Sequence, residues 1–131
     1  MADMLQTKAM DNVRETACAL GVMLSEHKGT DVVVLDLRAM NAWTDFFVIA
    51  TATSNVHLDG LERHIKEFCH ERGEEIIRRS RKPSDCEDEW RLLDLGSIVI
   101  HLMSAKARSF YELERLYPPP GAAMIHSSKS S

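Results

Sequence analysis

The sequence predicts an α/β fold with a single mixed β-sheet of about five strands and helices packed on it. Two long segments carry apolar residues three and four positions apart, as amphipathic helices do. Short β-branched runs, including DVVVLDL at 31–37 and DFFVIATA at 45–52, are typical of strands. Both runs are apolar on both faces, so the sheet they form needs cover on both sides.

The first half of the chain predicts helix, strand, strand, helix. The first helix extends from about residue 4 to residue 28, with Gly29 as its stop. Its apolar stripe is Met10, Val13, Ala17, Leu20 and Leu24. A loop carrying Trp43 joins the two strands. Thr53 or Ser54 then caps a second helix, which ends at Gly73.

The second half predicts three strands and a short helix. EEIIRRS at 74–80 is a weak third strand, and EWRLLDLGSIVIH at 89–101 forms a hairpin that turns at Gly96-Ser97. A last helix covers about 105–117, with Phe110, Leu113 and Tyr117 as its packed stripe. Residues 1–117 are therefore expected to form one domain. The Pro-, Gly- and Ser-rich segment 118–131 is expected to be a disordered tail whose deletion changes neither stability nor binding.

Composition excludes several classes of protein. The net charge is -4 and the pI about 5.8, which argues against bulk electrostatic binding of nucleic acid. The apolar runs are too short to span a bilayer, and the N-terminus has charges where a signal peptide needs an apolar stretch. A cytoplasmic protein is expected. The three cysteines include no C-x-x-C pair and are interpreted as free thiols.

Catalytic motifs are missing from the sequence. It contains neither H-E-x-x-H nor G-x-S-x-G, so we expect no enzyme, metal or cofactor. His101 is interpreted as a packed or hydrogen-bonded histidine within a strand. The alternative is a nucleotidyltransferase-like, metal-dependent enzyme. Thr53 and Ser54 would then lie near a phosphate, and Asp36, Asp45 and Asp94 near a metal, but the D-x-D pair typical of that chemistry is absent.

The hairpin suggests a surface for a partner. Read with a period of two, one strand places Trp90, Leu92 and Asp94 on one face, and Arg91, Leu93 and Leu95 on the other. Two long helices can cover one face of the sheet, but one short helix cannot cover the other. The side that carries Trp90 is therefore either closed by another molecule or packed as a core aromatic.

Three stretches together resemble one family: DFFVIATATS at 45–54, EWRLLDLGSIVIHLM at 89–103 and RSFYELERLY at 108–117. In this order and spacing they resemble the ribosomal silencing factor RsfS, or Iojap, family. The resemblance implies a nucleotidyltransferase-like core without transferase activity. It also implies binding to the large ribosomal subunit at its intersubunit face, through the large-subunit protein that is fourteenth in the usual series. Such binding would block joining of the small subunit and repress translation.

The resemblance also implies further partners and roles. Family members are linked to large-subunit maturation, several form homodimers, and a minor rRNA contact is compatible with this location. With the family in view, Trp90 is expected at the interface. The expected ribosomal-protein-binding residues are Trp90, Arg91, Leu92, Leu93, Asp94 and Asp45. Contacts with the partner or with a dimer mate are expected from Tyr111, Glu114 and Arg115.

Overall fold

The structure is a computed structural model that describes residues 2–40, 42–81, 89–116 and 123–128. Its strands are β1 (Thr30–Asp36), β2 (Phe46–Ala52), β3 (Arg78–Arg81), β4 (Trp90–Asp94), β5 (Ile98–Ser104) and β6 (Ala123–Ser128). Its helices are α1 (Ala2–Glu26), α2 (Asn55–Arg72), α3 (Ala105–Tyr111) and α4 (Leu113–Leu116), and a 3₁₀ turn covers Arg38–Met40. Within these residues, no helix combines the length and the apolar character needed to cross a bilayer.

The strands form one mixed sheet in the order β3-β4-β5-β2-β1-β6. β2 and β5 are parallel, whereas β3, β4, β1 and β6 pair antiparallel with their neighbours. The central strands β2 and β5 are buried along almost their whole length. This confirms the predicted α/β fold with a mixed sheet and helices packed on it.

Each face of the sheet has its own core. The larger core lies beneath α1 and α2, and the helices contribute to it Ala17, Leu20, Leu24, Leu58, Leu61 and Ile65. The smaller core is closed by α3, α4 and the segment between β1 and β2, and its buried residues are Val33, Leu35, Leu37, Phe47, Ile49, Val99, Met103, Ala107 and Leu113. Long helices therefore cover one face and short elements the other, as the sequence indicated.

The helix ends follow local chemistry. Ser54 caps α2 by accepting a hydrogen bond from the His57 backbone N–H at 3.1 Å, and Gly73 ends the helix in the left-handed region. α1 ends at Glu26, earlier than predicted, and Lys28 takes the positive φ of 71°. Gly29 is needed for space instead, because a Cβ there would lie 2.8 Å from the Leu24 carbonyl oxygen.

The predicted helix at 105–117 is interrupted. Glu112 adopts a φ of 44°, which separates α3 from α4 and rotates the following turn. Leu113 is buried as predicted, but the prediction that Phe110 packs on the sheet is wrong, because its side chain is 77% exposed. Tyr117 lies outside the described residues.

The predicted disordered tail contains a strand. β6 pairs antiparallel with β1, from Val32 opposite Ser128 to Asp36 opposite Ala123. Without β6, β1 would present a row of unpaired backbone N–H and C=O groups at the edge of the sheet. Residues 118–122 and 129–131 lie outside the described part of the chain. The expectation of a disordered tail is therefore corrected for residues 123–128.

Candidate functional site

Strand β4 separates its side chains as the sequence predicted. Trp90, Leu92 and Asp94 are half-buried on one face, whereas Arg91 and Leu93 are buried on the other. Leu93 is fully buried in the core beneath α1 and α2. The expectation that Arg91 and Leu93 contact a partner directly is therefore corrected. The two-residue period of a strand directs them into the protein's own interior.

Arg91 is buried and pairs with one buried and one exposed carboxylate. Its Nε donates to Glu89 at 2.9 Å and its Nη1 to Asp59 of α2 at 2.6 Å. Burial opposes the charge of Arg91, but hydrogen bonds to Asp59 and Glu89 outweigh it and raise the pKa of the guanidinium. Arg91 thus links the start of β4 to α2, which is a structural role.

Trp90 is held in place by a histidine. Its indole Nε1–H donates to Nδ1 of His101 at 3.0 Å, and its ring lies 4.7 Å from that of Tyr111. His101 is 2% exposed, so the prediction of a packed, hydrogen-bonded histidine is confirmed. Burial lowers the pKa of His101 to about 3, and the positive charge of Arg108 acts in the same direction. The imidazole is therefore neutral at physiological pH and keeps the lone pair that accepts from Trp90.

Rings in contact extend across this face and form what we call the aromatic row. Its members, in order of contact, are Trp43, Phe47, His101, Trp90, Tyr111 and Phe110. Successive ring centroids lie between 4.5 and 5.8 Å apart. The two ends are open to solvent, Trp43 at 57% and Phe110 at 77% exposed, while Phe47 is buried. The aromatic row therefore extends from a buried centre to an exposed ring at each end.

Sequence reasoning missed both ends of the aromatic row. The sequence predicts Phe110 in the core because it shares a helical stripe with Leu113, but the interruption at Glu112 removes that relation. The sequence predicts for Trp43 only a position in a loop. A tryptophan in the short segment between two buried strands is the one signal in the sequence that points to it.

The three predicted carboxylates do not assemble a metal site. Asp36 holds Arg38 through two carboxylate oxygens, and this hydrogen bonding is the largest cause that lowers the pKa of Asp36. Asp94 accepts from the Gly96 N–H at 2.8 Å and pairs with Arg78. In the described residues, no group of three or more metal-ligating side chains could hold an ion. Asp36 and Asp94 are therefore already bound to arginines and to a turn.

The N–H groups at the start of α2, residues 53–57, also have hydrogen-bond partners within the chain. The Thr53 backbone N–H donates to Nδ1 of His57 at 3.0 Å, and the His57 backbone N–H donates to Ser54. Two N–H groups that a phosphate would require are thus satisfied within the chain. This geometry supports capping, which the sequence also favoured, over phosphate binding.

The remaining predicted contacts lie on α3 and α4. Tyr111 is half-buried in the aromatic row. Arg115 has an 80% exposed side chain and pairs with Glu112 at 3.3 Å. The side chain of Glu114 lies outside what the structure describes, as does the acidic segment 83–88.

Comparisons of the sequence with known proteins all point to one family. The sequence model of the family described as "Ribosomal silencing factor during starvation" matches residues 10–130. A ribosomal silencing factor RsfS from Treponema pallidum is 42% identical over 101 residues, which cover 77% of this chain and 88% of that protein. The mouse protein named "Mitochondrial assembly of ribosomal large subunit protein 1" is 33% identical over 98 residues, which cover 72% of this chain and 42% of the mouse protein.

The fold also has a counterpart among solved structures. A crystal structure of a Chromobacterium violaceum protein superposes with a TM-score of 0.68 at 24% sequence identity. The superposition covers 86% of this chain and 92% of the other. This likeness concerns the fold alone.

Proposed function

Because this chain belongs to the RsfS family of ribosomal silencing factors, a non-enzymatic family that binds the ribosome, we propose that it docks on the large ribosomal subunit and prevents the small subunit from joining. The docking target is the large-subunit protein that is fourteenth in the usual series. Occupying the intersubunit face there would repress translation. The same contact is compatible with a role in large-subunit maturation, which the name of the mouse relative describes for that protein.

The observation that carries this proposal is the incompletely covered face of the sheet. α3 and α4 are short, and the half-buried Trp90 and Leu92 of β4, with Tyr111 at the end of α3, reach the surface. We define the docking surface as these three residues with Asp94, Asp45 and Arg115. Trp90 is its hot spot, since a large indole fixed in one rotamer supplies contact area at low entropic cost.

Charge supports a protein target over RNA. The chain carries a net charge of -4, and Asp45 and Asp94 lie at the same end of the sheet, next to the β4–β5 hairpin. A ribosomal protein that is surrounded by rRNA phosphates is basic, and an acidic surface attracts it. Any rRNA contact would be minor and at the rim. We place this action in the cytoplasm, with a homodimer as a second use of the same surface.

The test is binding of the Trp90→Ala variant to purified large subunits, measured by cosedimentation. Loss of a hot spot weakens binding by about 2 kcal/mol or more, roughly thirty-fold. The matched control is Val56→Ser, since Val56 is 80% exposed on α2, which packs on the other face. Both variants are compared at temperatures where circular dichroism shows them folded. Cosedimentation of Trp90→Ala at the wild-type level would refute the proposed surface.

A functional measurement separates silencing from binding alone. Added to free subunits, the wild-type protein is expected to reduce the joined-ribosome peak in a sucrose gradient and to comigrate with large subunits. Trp90→Ala should leave the joined peak intact. Comigration of the wild-type protein with joined ribosomes would contradict steric blocking.

A further inference from the structure

We propose that Trp43 and Asp45 together receive a basic side chain, arginine or lysine, of the ribosomal protein partner. This inference rests on the proposed function and extends the docking surface to the segment between β1 and β2. It assigns a contact to Trp43 and names the chemistry that Asp45 recognises.

The exposure of Trp43 is the first observation. Its indole contacts the buried ring of Phe47 at a centroid distance of 5.8 Å, and 57% of the residue remains open to solvent. Phe47 in turn contacts His101, so Trp43 is continuous with the aromatic row that leads to Trp90. A tryptophan held from one side offers its remaining surface to a partner.

The carboxylate of Asp45 is the second observation. Asp45 lies in the bend just before β2, two residues after Trp43 and two before Phe47, the ring that Trp43 contacts, so its carboxylate is within reach of a group that touches the indole. Asp36 and Asp94 are each paired with an arginine. The part of the chain that the structure describes supplies no such cation to the half-buried Asp45.

The backbone that carries the pair is fixed before any partner arrives. The Thr44 hydroxyl donates to the Gly96 carbonyl at 3.2 Å, and the Asp45 N–H donates to the Ser97 carbonyl at 3.2 Å. The Asp45 carbonyl accepts from the Leu37 N–H at 2.8 Å. The segment is thus tied to both the hairpin and the end of β1, so binding would not require it to become ordered.

An exposed indole and a carboxylate two residues away in the same bend are suited to binding one cation. The π face of tryptophan attracts ammonium and guanidinium groups, and the carboxylate adds a charge-assisted hydrogen bond. The same carboxylate repels phosphate. The pair therefore selects a basic side chain of a protein and disfavours the rRNA backbone.

The experiment measures the affinity of Trp43→Leu, Asp45→Asn and the double variant for purified large subunits, at low and high salt. Each single variant is expected to bind roughly two- to five-fold more weakly. If both residues contact one cation, the second substitution costs less once the first is present. Salt should diminish the effect of Asp45→Asn more than that of Trp43→Leu. Val56→Ser and Glu71→Gln, both on the exposed surface of α2, are the matched apolar and acidic controls.

The outcomes distinguish this inference from the proposed function. Wild-type affinity of Trp43→Leu and Asp45→Asn together with weak binding of Trp90→Ala would overturn the inference and leave the proposed function standing. Wild-type affinity of all three would overturn both. Tighter binding of Asp45→Asn would indicate phosphate nearby, and would also overturn the inference. Melting temperatures check folding, and Asp45→Asn preserves the size of the side chain.

Discussion

Two neighbouring leucines on β4 should separate stability from docking. Leu93 is fully buried in the core beneath α1 and α2, whereas Leu92 is half-buried beside Trp90 on the docking surface. Leu93→Ala should therefore destabilise the fold while the folded protein still binds. Leu92→Ala should weaken binding with a much smaller loss of stability. The two substitutions remove the same atoms, so each is the control for the other.

The burial of Leu93 sets the magnitude. A Leu→Ala change at a fully buried site costs about 2–5 kcal/mol, because the transfer free energy is lost and a cavity remains. About 3 kcal/mol corresponds to a fall in Tm of roughly 10 °C for a domain of this size. Leu92→Ala should cost about 1 kcal/mol, since part of its surface is already in water. Thermal unfolding followed by circular dichroism measures both values.

Binding is then measured by cosedimentation with large subunits well below both melting temperatures. Leu93→Ala should bind as the wild-type protein does, and Leu92→Ala should bind more weakly. A larger fall in Tm for Leu92→Ala than for Leu93→Ala would refute the assignment of the two faces. Weak binding by a fully folded Leu93→Ala protein would refute the separation of stability from docking.

Two further predictions concern the C-terminus and His101. Ending the chain at residue 122 removes β6 and should lower Tm, because β1 loses its backbone pairing; an unchanged Tm would contradict the pairing. The pKa of His101 is lowered to about 3 in the folded protein, whereas an unfolded histidine has a pKa of about 6.5. Below pH 6.5 the unfolded chain therefore binds a proton at His101 that the folded protein does not bind. The free energy of unfolding consequently decreases as the pH falls from 6.5 toward 3. Between pH 7 and pH 5 the free energy of unfolding of the wild-type protein should decrease by about 2 kcal/mol for this reason. Urea unfolding at both pH values should show a smaller loss for His101→Gln, and an equal loss would exclude His101 as the cause.

Patterns with a single physical cause could be predicted from the sequence. The alternation of β4 follows from strand geometry alone, so the faces of Trp90 and Leu93 were assigned correctly. Capping by Ser54 follows from the preference of short hydroxyl side chains for helix starts. Alternation does not reveal what lies above a face, however. It could not show that Asp59 of α2 pairs with Arg91, because only the tertiary structure brings these two residues together.

The structure differs from the sequence predictions where one backbone angle, or one residue distant in the sequence, determines the local structure. The positive φ of Glu112 ends α3 and changes where Leu113 lies relative to Phe110, and the hydrophobic periodicity of the sequence does not indicate this interruption. β6 forms because β1 has an open edge, which is a property of another segment. Trp43 becomes part of the site only because Phe47 lies beneath it. These are tertiary effects, and local pattern does not encode them.

The buried members of the aromatic row explain how Trp90 can serve as the centre of the proposed docking surface. Trp90 cannot change rotamer without giving up its hydrogen bond to His101, which would leave the imidazole lone pair unsatisfied in the interior. A partner therefore meets rings that are already ordered, and it avoids the cost of about 0.5–1.5 kcal/mol for immobilising each mobile side chain. It follows that His101 contributes to affinity without contacting the partner. The geometry that keeps this histidine neutral also keeps the indole in position for docking.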